Sequence, residues 1–272
     1  MDLLLQILIF IFGTIIGSFL NVVILRYGRK TLNGRSVCPI CGKKLRWFDL
    51  IPLLSFLFLR GKCRDCHKKI SWRYPVVEIV TGALFLLIFN FSAQSRQFFY
   101  LIYLGSIFSL LIVIFVYDLY HKIIPDLWVF LFVGLSIISV LGSFDTLTTK
   151  WWQFSLANNL WAGPILALPF ALLWFISKGR WMGLGDAKLA LGIGWFLGLA
   201  KGSSALILGI WLGAIIGLIL VALSKVIKKK QLSFRGINFT IKSELPLAPF
   251  LIVGIGLVFF LGWDVWGLGS FF

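Results

Sequence analysis

Eight long apolar segments limit the class of structure that this chain can form. With 60% hydrophobic and 13% charged residues in a total of 272, the chain has too little polar surface for a water-soluble domain. A helix of about 20 apolar residues crosses the ~30 Å hydrocarbon core of a bilayer. We therefore predict an all-α polytopic membrane protein with about eight transmembrane helices. The segments lie at roughly 3–25, 74–91, 98–117, 123–142, 159–177, 186–200, 203–224 and 245–263.

The distribution of basic residues predicts how these helices are oriented. Twenty-three of the 26 Lys and Arg residues fall in or directly beside alternate gaps between the apolar segments, and thirteen of them lie within 26–73. Loops rich in Lys and Arg stay in the cytoplasm, so residues 26–73 are expected inside and both termini outside. Basic residues beside membrane spans meet anionic lipid headgroups. The net charge of +16 is therefore assigned to membrane lipids and not to nucleic acid.

All four cysteines of the chain lie in this predicted cytoplasmic loop. They form the pairs "CPIC" at 38–41 and "CRDC" at 63–66, a spacing close to that of zinc ribbons. A reducing compartment disfavours structural disulfides. Four protein ligands also leave no open position on the metal for substrate or water. We predict a structural Zn²⁺ bound by Cys38, Cys41, Cys63 and Cys66, with free or redox-active cysteines as the alternative.

Two aspartates are expected at the same side of the membrane. Asp118 ends the third apolar segment and Asp186 begins the sixth, and the charge pattern places both ends in the cytoplasm. Two carboxylates brought close share a proton, so one can activate water while the other polarises a carbonyl or protonates a leaving amine. Gly183 and Gly185 would let a substrate backbone approach. The alternative is structural: Asp186 caps a helix and Asp118 pairs with Lys122.

Several blocks of sequence resemble one known family. The paired cysteines are accompanied by "GSFLNVVILR" at 17–26, "RYPVVE" at 73–78, "DLYHKIIPD" at 118–126, "MGLGDAKL" at 182–189 and "LPLAPFL" at 245–251. In this order the blocks resemble the type IV prepilin peptidases, membrane aspartic proteases of the Gly-x-Gly-Asp class. One departure is Tyr120, where relatives often carry another acidic residue.

The resemblance implies a function and a location. It implies Asp118 and Asp186 as the catalytic pair and a prepilin or pseudopilin precursor as substrate, with a short basic leader followed by an apolar helix. Cleavage is expected at the cytoplasmic face of the bacterial inner membrane. Many relatives also methylate the new N-terminal amine with S-adenosylmethionine, and in the family the four-cysteine loop accompanies that second activity. Methyl transfer is implied here by the resemblance alone.

These features predict three regions and leave other functions open. The regions are a first transmembrane helix (1–25), a cytoplasmic zinc-binding domain (26–73) and a transmembrane aspartic protease domain (74–272). One alternative is an intramembrane protease like presenilin or signal peptide peptidase. Another is a proton-coupled transporter that uses the two aspartates as a relay. A third is a membrane scaffold without chemistry, in which either aspartate could be replaced without effect.

Overall fold

Helices make up most of the described structure. The computed structural model describes residues 3–28, 34–92, 98–141, 156–226, 233–234, 237–238 and 246–266. The helices are α1 (Leu3–Arg26), α2 (Leu54–Phe58), α3 (Arg73–Ser92), α4 (Phe98–His121), α5 (Asp126–Leu141), α6 (Leu156–Ser177), α7 (Leu184–Val226) and α8 (Ala248–Leu261). A 3-10 helix covers Trp47–Leu50, and strands β1 (Ser233–Phe234) and β2 (Ile237–Asn238) pair antiparallel. The predicted helical class is confirmed apart from this short strand pair.

The helices agree with an integral membrane protein. Among the described residues, five helices are long and apolar enough to cross a membrane: α1, α3, α4, α6 and α7. Helices α5 and α8 are apolar but shorter, with 16 and 14 residues. The sixth and seventh predicted segments both fall within the 43 residues of α7. Each predicted segment therefore coincides with a helix or with one part of α7.

Helix α7 is interrupted at Gly198. This residue has φ 78° and ψ 179°, whereas its neighbours on both sides are helical. That combination of angles is essentially restricted to glycine because a Cβ would collide with the adjoining backbone. The break separates the two apolar parts of α7.

The chain forms two compact units, Met1–Val113 and Ile114–Phe272. In the first unit α1 packs closely along α3. A Cβ added at Gly13 would lie 2.8 Å from the Cα of Gly82, and one added at Gly17 would lie 2.9 Å from the Cα of Glu78. Small residues at a helix interface allow the backbones to approach, which strengthens van der Waals packing between apolar helices.

In the second unit α7 is the central helix and packs against α5, α6 and α8. The ring of Phe132 on α5 fills the space that a side chain at Gly192 would need. On the other side, a Cβ at Gly209 would lie 2.8 Å from the Cα of Leu251 on α8. Leu189 and Ile193 of the first part of α7 are completely buried. This packing fixes the start of α7, where Asp186 lies.

Candidate active site and metal centre

Asp118 lies in the last turn of α4 and is almost completely buried, with 4% exposure. Its carboxylate accepts a hydrogen bond from the backbone N–H of Ala248, the first residue of α8. The first N–H groups of a helix have no partner within the helix, and the helix dipole favours a negative charge at that end. The start of α8 therefore holds the Asp118 side chain in place.

Asp186 lies in the first turn of α7 and is partly buried. Its carboxylate accepts a hydrogen bond from the backbone N–H of Gly183, and its own N–H donates to the carbonyl of Gly183 at 3.3 Å. These two bonds close a tight turn just before the helix. The backbone of Gly183 therefore helps to position the Asp186 side chain.

The fold brings the two aspartates together. Asp118 and Asp186 are both in the second unit, and they are close enough for the charge of Asp118 to act on Asp186. Repulsion between neighbouring carboxylates favours a state in which the pair holds one proton. Such a pair contains a base and an acid at once, which is the requirement for activating water against a peptide bond.

The two glycines beside Asp186 have different surroundings. A Cβ at Gly185 would lie 2.8 Å from Cβ of Ile124, so packing alone requires glycine there. At Gly183 the nearest atoms to an added Cβ would be Gly185 N at 3.9 Å and Asp186 Oδ2 at 4.0 Å, which are ordinary contacts. Of the two glycines, only Gly183 has room for a Cβ atom, and that room lies next to the Asp186 carboxylate.

An ion pair near the aspartates was missed by sequence reasoning. Lys188 Nζ lies 2.5 Å from Oδ1 of Asp126, and the ammonium also lies 4.8 Å from the ring centroid of Phe130. The pair joins the first turn of α7 to the first residue of α5. Asp126 and Lys188 are separated by 62 residues in the sequence. No local pattern could indicate that contact.

The four cysteines form one cluster in the first unit. The Sγ atoms of Cys38, Cys41, Cys63 and Cys66 all lie within 4.8 Å of one another, and Cys38 and Cys66 are 4.0 Å apart. Four ligands at a Zn–S distance of ~2.3 Å would be about 3.8 Å apart at the corners of a tetrahedron. None of these cysteines forms a disulfide. The predicted cluster is confirmed, and its sulfur donors and spacing fit a metal ion.

Each cysteine pair lies on a turn of the same design. The N–H of Cys38 donates to the carbonyl of Lys43 at 2.9 Å, and the N–H of Cys63 donates to that of Lys68 at 2.9 Å. The residue after each second cysteine has a left-handed backbone: Gly42 has φ 71° and His67 has φ 53°. The imidazole of His67 is exposed and lies outside the group of sulfurs. The two cysteine pairs therefore lie on equivalent turns, whose sulfur atoms are placed suitably for a metal ion.

Hydrogen bonds within the cluster affect the thiols unequally. The backbone N–H of Cys41 lowers the pKa of the Cys38 thiol to about 7. For Cys66 the backbone N–H of Lys68 acts in the same direction, but burial and hydrogen bonds with the other three thiols outweigh it and raise the pKa to about 11. A bound cation would favour the thiolate form of all four groups. Lys43 and Asp65, paired at 2.9 Å, join the two turns independently of any metal.

Comparison with known proteins gives matches over most of the chain. The profile of the bacterial peptidase A24 N-terminal domain matches residues 11–91, and that of the type IV leader peptidase family matches residues 105–218. The first match contains the four cysteines and the second contains both aspartates. No solved structure matches the chain.

Individual relatives are similar over most of their length. The chain is 32% identical to the prepilin leader peptidase/N-methyltransferase of Bacillus subtilis, over 84% of this chain and 88% of the relative. It is 30% identical to the protein of the same name from Vibrio cholerae, over 96% of this chain and 98% of the relative. A type 4 prepilin-like proteins leader peptide-processing enzyme of Escherichia coli is 36% identical over 63% of this chain and 74% of its own length. The chain therefore belongs to the type IV leader peptidase family.

Proposed function

We propose that this protein is a membrane aspartic endopeptidase that removes the basic leader from type IV prepilin and pseudopilin precursors. The observation that carries the proposal is that Asp118, in the last turn of α4, lies within electrostatic range of Asp186, in the first turn of α7. Each carboxylate is held by a backbone N–H, from Ala248 and Gly183 respectively. The names of the relatives support the substrate class.

The chemistry needs only the two carboxyl groups and a water molecule. The ionised carboxylate takes a proton from water as the oxygen attacks the carbonyl carbon of the scissile bond. The protonated carboxyl donates to the carbonyl oxygen, which stabilises the negative charge that develops there. When the intermediate collapses, the C–N bond breaks, the leaving amine receives the proton that was taken from water, and the hydroxyl formed from the carbonyl oxygen returns its proton to the carboxylate that donated it. This sequence leaves the shared proton in place for the next cycle.

The location of the site follows from the charge pattern. Asp118 ends α4 and Asp186 begins α7, and Lys122, Lys178 and Arg180 lie next to these helix ends. Basic residues next to spans favour the cytoplasmic side. We place both aspartates at the cytoplasmic face of the bacterial inner membrane, where residues 26–73 also lie. This orientation puts the site next to a precursor whose basic leader remains in the cytoplasm.

For the four cysteines we propose a structural Zn²⁺ site. Four sulfur ligands would complete a tetrahedral shell, so the ion would stabilise the loop and take no part in hydrolysis. The three regions 1–25, 26–73 and 74–272 remain our proposed division of the chain. The two family profiles match residues 11–91 and 105–218, so the gap between them lies after α3 and not at residue 74.

A second activity is supported by the names of the relatives. Two of those described above are called prepilin leader peptidase/N-methyltransferase. We propose that this protein likewise methylates the amine exposed by cleavage, with S-adenosylmethionine as the methyl donor. The family match favours these two activities over a presenilin-like protease, a proton-coupled transporter or a scaffold.

The proposal is tested with purified protein in lipid nanodiscs and a full-length prepilin. Asp118→Asn and Asp186→Asn should each lower the rate of leader removal by about 10²-fold to 10⁴-fold, because each loses an acid or base needed in the transition state. Asp126→Asn is the matched control, since Asp126 is 66% exposed at its side chain and pairs only with Lys188 among the ion pairs of the described residues. Its rate should stay within about threefold.

Two outcomes would contradict the proposal. Leader removal that survives either catalytic substitution would exclude the aspartate mechanism. Failure of the native protein to cleave any prepilin would favour transport or a scaffold. Labelled S-adenosylmethionine with a precleaved pilin measures methyl transfer separately from leader removal.

A further inference from the structure

A groove in the second unit has no part in the mechanism above. It lies between α6 and the second part of α7 and has a volume of about 450 Å³, within the range of ligand pockets. Its walls are almost wholly apolar, and among the described residues Ser203 is the one polar side chain that lines it. The α6 wall includes Leu166, Phe170 and Leu173, and the α7 wall includes Leu206, Ile207 and Ile210.

One end of the groove adjoins the candidate active site through the backbone. Met182 lines the groove and directly precedes Gly183, whose N–H donates to the Asp186 carboxylate. Leu247 also lines it and directly precedes Ala248, whose N–H donates to the Asp118 carboxylate. At this end of the groove, Met182 and Leu247 are thus each adjacent in sequence to a residue whose N–H holds one of the two carboxylates.

The groove extends away from that end along the helices. Its lining residues on α6 run from Leu166 to Leu173, and those on α7 run from Ser203 to Ile210. Seven residues of helix rise about 10 Å, so the groove is about two helical turns long. Leu173 is 41% exposed and Ile210 is 43% exposed, so an apolar segment can enter from the side without unfolding of either helix.

We propose that this groove binds the apolar segment of the precursor that follows the scissile bond. This inference rests on the proposed function and specifies how that site selects its substrate. The basic leader is disfavoured there, because no acidic side chain is among the described residues that line the groove. The segment on the other side of the scissile bond is apolar, begins at the carboxylates and continues within the membrane. Its position and chemistry match a groove that starts beside both aspartates and has apolar walls.

Filling the groove provides the first test. Leu173→Trp and Ile210→Trp place a large ring at its open side, and both positions are exposed enough to accept it. Matched controls are Leu172→Trp and Ile215→Trp, on the same two helices, at positions that are 48% and 53% exposed and do not line the groove. Each variant is assayed with the full precursor and with a short peptide that carries the leader and ends just after the scissile bond.

The expected result is selective. The groove variants should lower kcat/KM for the full precursor by about tenfold or more, mainly through a higher KM. For the short peptide, kcat/KM of the groove variants should stay within about twofold of the native value. The two control variants should have kcat/KM within about twofold of the native value with either substrate. Unchanged cleavage of the full precursor by the groove variants would overturn the inference. An equal loss with both substrates would also overturn it, because the damage would then lie at the carboxylates.

Photocrosslinking identifies the occupant directly. p-Benzoylphenylalanine replaces Ile210 in the Asp118→Asn/Asp186→Asn protein, in nanodiscs of phosphatidylethanolamine and phosphatidylglycerol with saturating precursor. Crosslinks should map to the apolar residues just after the scissile bond. Crosslinks to phospholipid alone would assign the groove to an acyl chain and overturn the inference.

The inference and the proposed function fail in distinguishable ways. If Asp118→Asn or Asp186→Asn still cleaves the precursor, the proposed function is wrong whatever binds the groove. If both aspartate variants are inactive while the groove variants cleave normally, only the inference about the groove is wrong.

Discussion

The backbone N–H of Leu53 donates a hydrogen bond of 2.9 Å to Oε2 of Glu78. This bond connects the cysteine-bearing loop to the second turn of α3. Glu78 is only 7% exposed, and its carboxylate also accepts a hydrogen bond from the hydroxyl of Ser18 on α1. A buried carboxylate is tolerated when its oxygens are hydrogen-bonded. One side chain therefore joins α1, α3 and the loop between them.

Replacing Glu78 should loosen the loop. In Glu78→Leu the N–H of Leu53 loses its acceptor, so the free energy of unfolding should fall by about 1–3 kcal/mol. Glu78→Gln keeps an oxygen that can accept this bond and should recover most of the loss. Unfolding in detergent measures the stability, and the rate of proteolysis within residues 47–58 measures the loop. Equal stability of Glu78→Leu and the native protein would show that the hydrogen bond contributes nothing.

The sequence predicted the helices and the cluster of four cysteines, but it did not predict the long-range contacts that position the side chains of the candidate active site. Apolar length located the helices and cysteine spacing predicted the sulfur cluster, whereas the placement of both aspartates on one side of the membrane stays a prediction from the charge pattern. The hydrogen bond from Ala248 to Asp118 and the ion pair of Asp126 with Lys188 join residues far apart in the chain. Periodicity and spacing are local properties, so they carry no information on which helix end meets which carboxylate.

The glycine pair in "MGLGD" shows the same limit. The sequence assigned one role, approach of the substrate backbone, to both Gly183 and Gly185. The structure gives Gly185 a packing reason that needs no substrate, because Ile124 fills the space beside it. That reason depends on a contact between α7 and the residues before α5, which sequence reasoning did not contain. For Gly183 the substrate role remains a prediction.

Alanine at these two glycines should therefore act differently. Gly183→Ala adds a Cβ with no contact under 3.9 Å, so unfolding should be unchanged, while kcat/KM should fall about tenfold or more if substrate backbone passes there. Gly185→Ala should lower stability by about 1–3 kcal/mol through overpacking against Ile124. Stability and cleavage are measured on the same preparations. Native kcat/KM for Gly183→Ala would exclude a close substrate approach at that residue.

Metal content should depend on the four cysteines and not on the neighbouring His67. We expect about one zinc ion per chain by elemental mass spectrometry of the purified protein, since four thiolates complete one site. Cys63→Ser removes a buried ligand and should lose most of the metal and expose the loop to protease.

The control is His67→Gly. It removes the imidazole, and glycine suits the left-handed φ of 53° that His67 adopts. Its zinc content should equal that of the native protein. Loss of zinc in His67→Gly, or native zinc content in Cys63→Ser, would contradict the assignment of the ligands.

The break in α7 offers a test of backbone strain without a steric clash. A Cβ at Gly198 would meet no atom within 4 Å, and the same is true of Gly256 within α8. Only Gly198 has the angles that are restricted to glycine, so Gly198→Ala should cost about 1–3 kcal/mol of unfolding free energy. Gly256→Ala should be neutral or slightly stabilising, because alanine favours a helix. If Gly198→Ala is as stable as Gly256→Ala in detergent unfolding, the backbone can adopt another path there, and the break does not fix the two parts of α7.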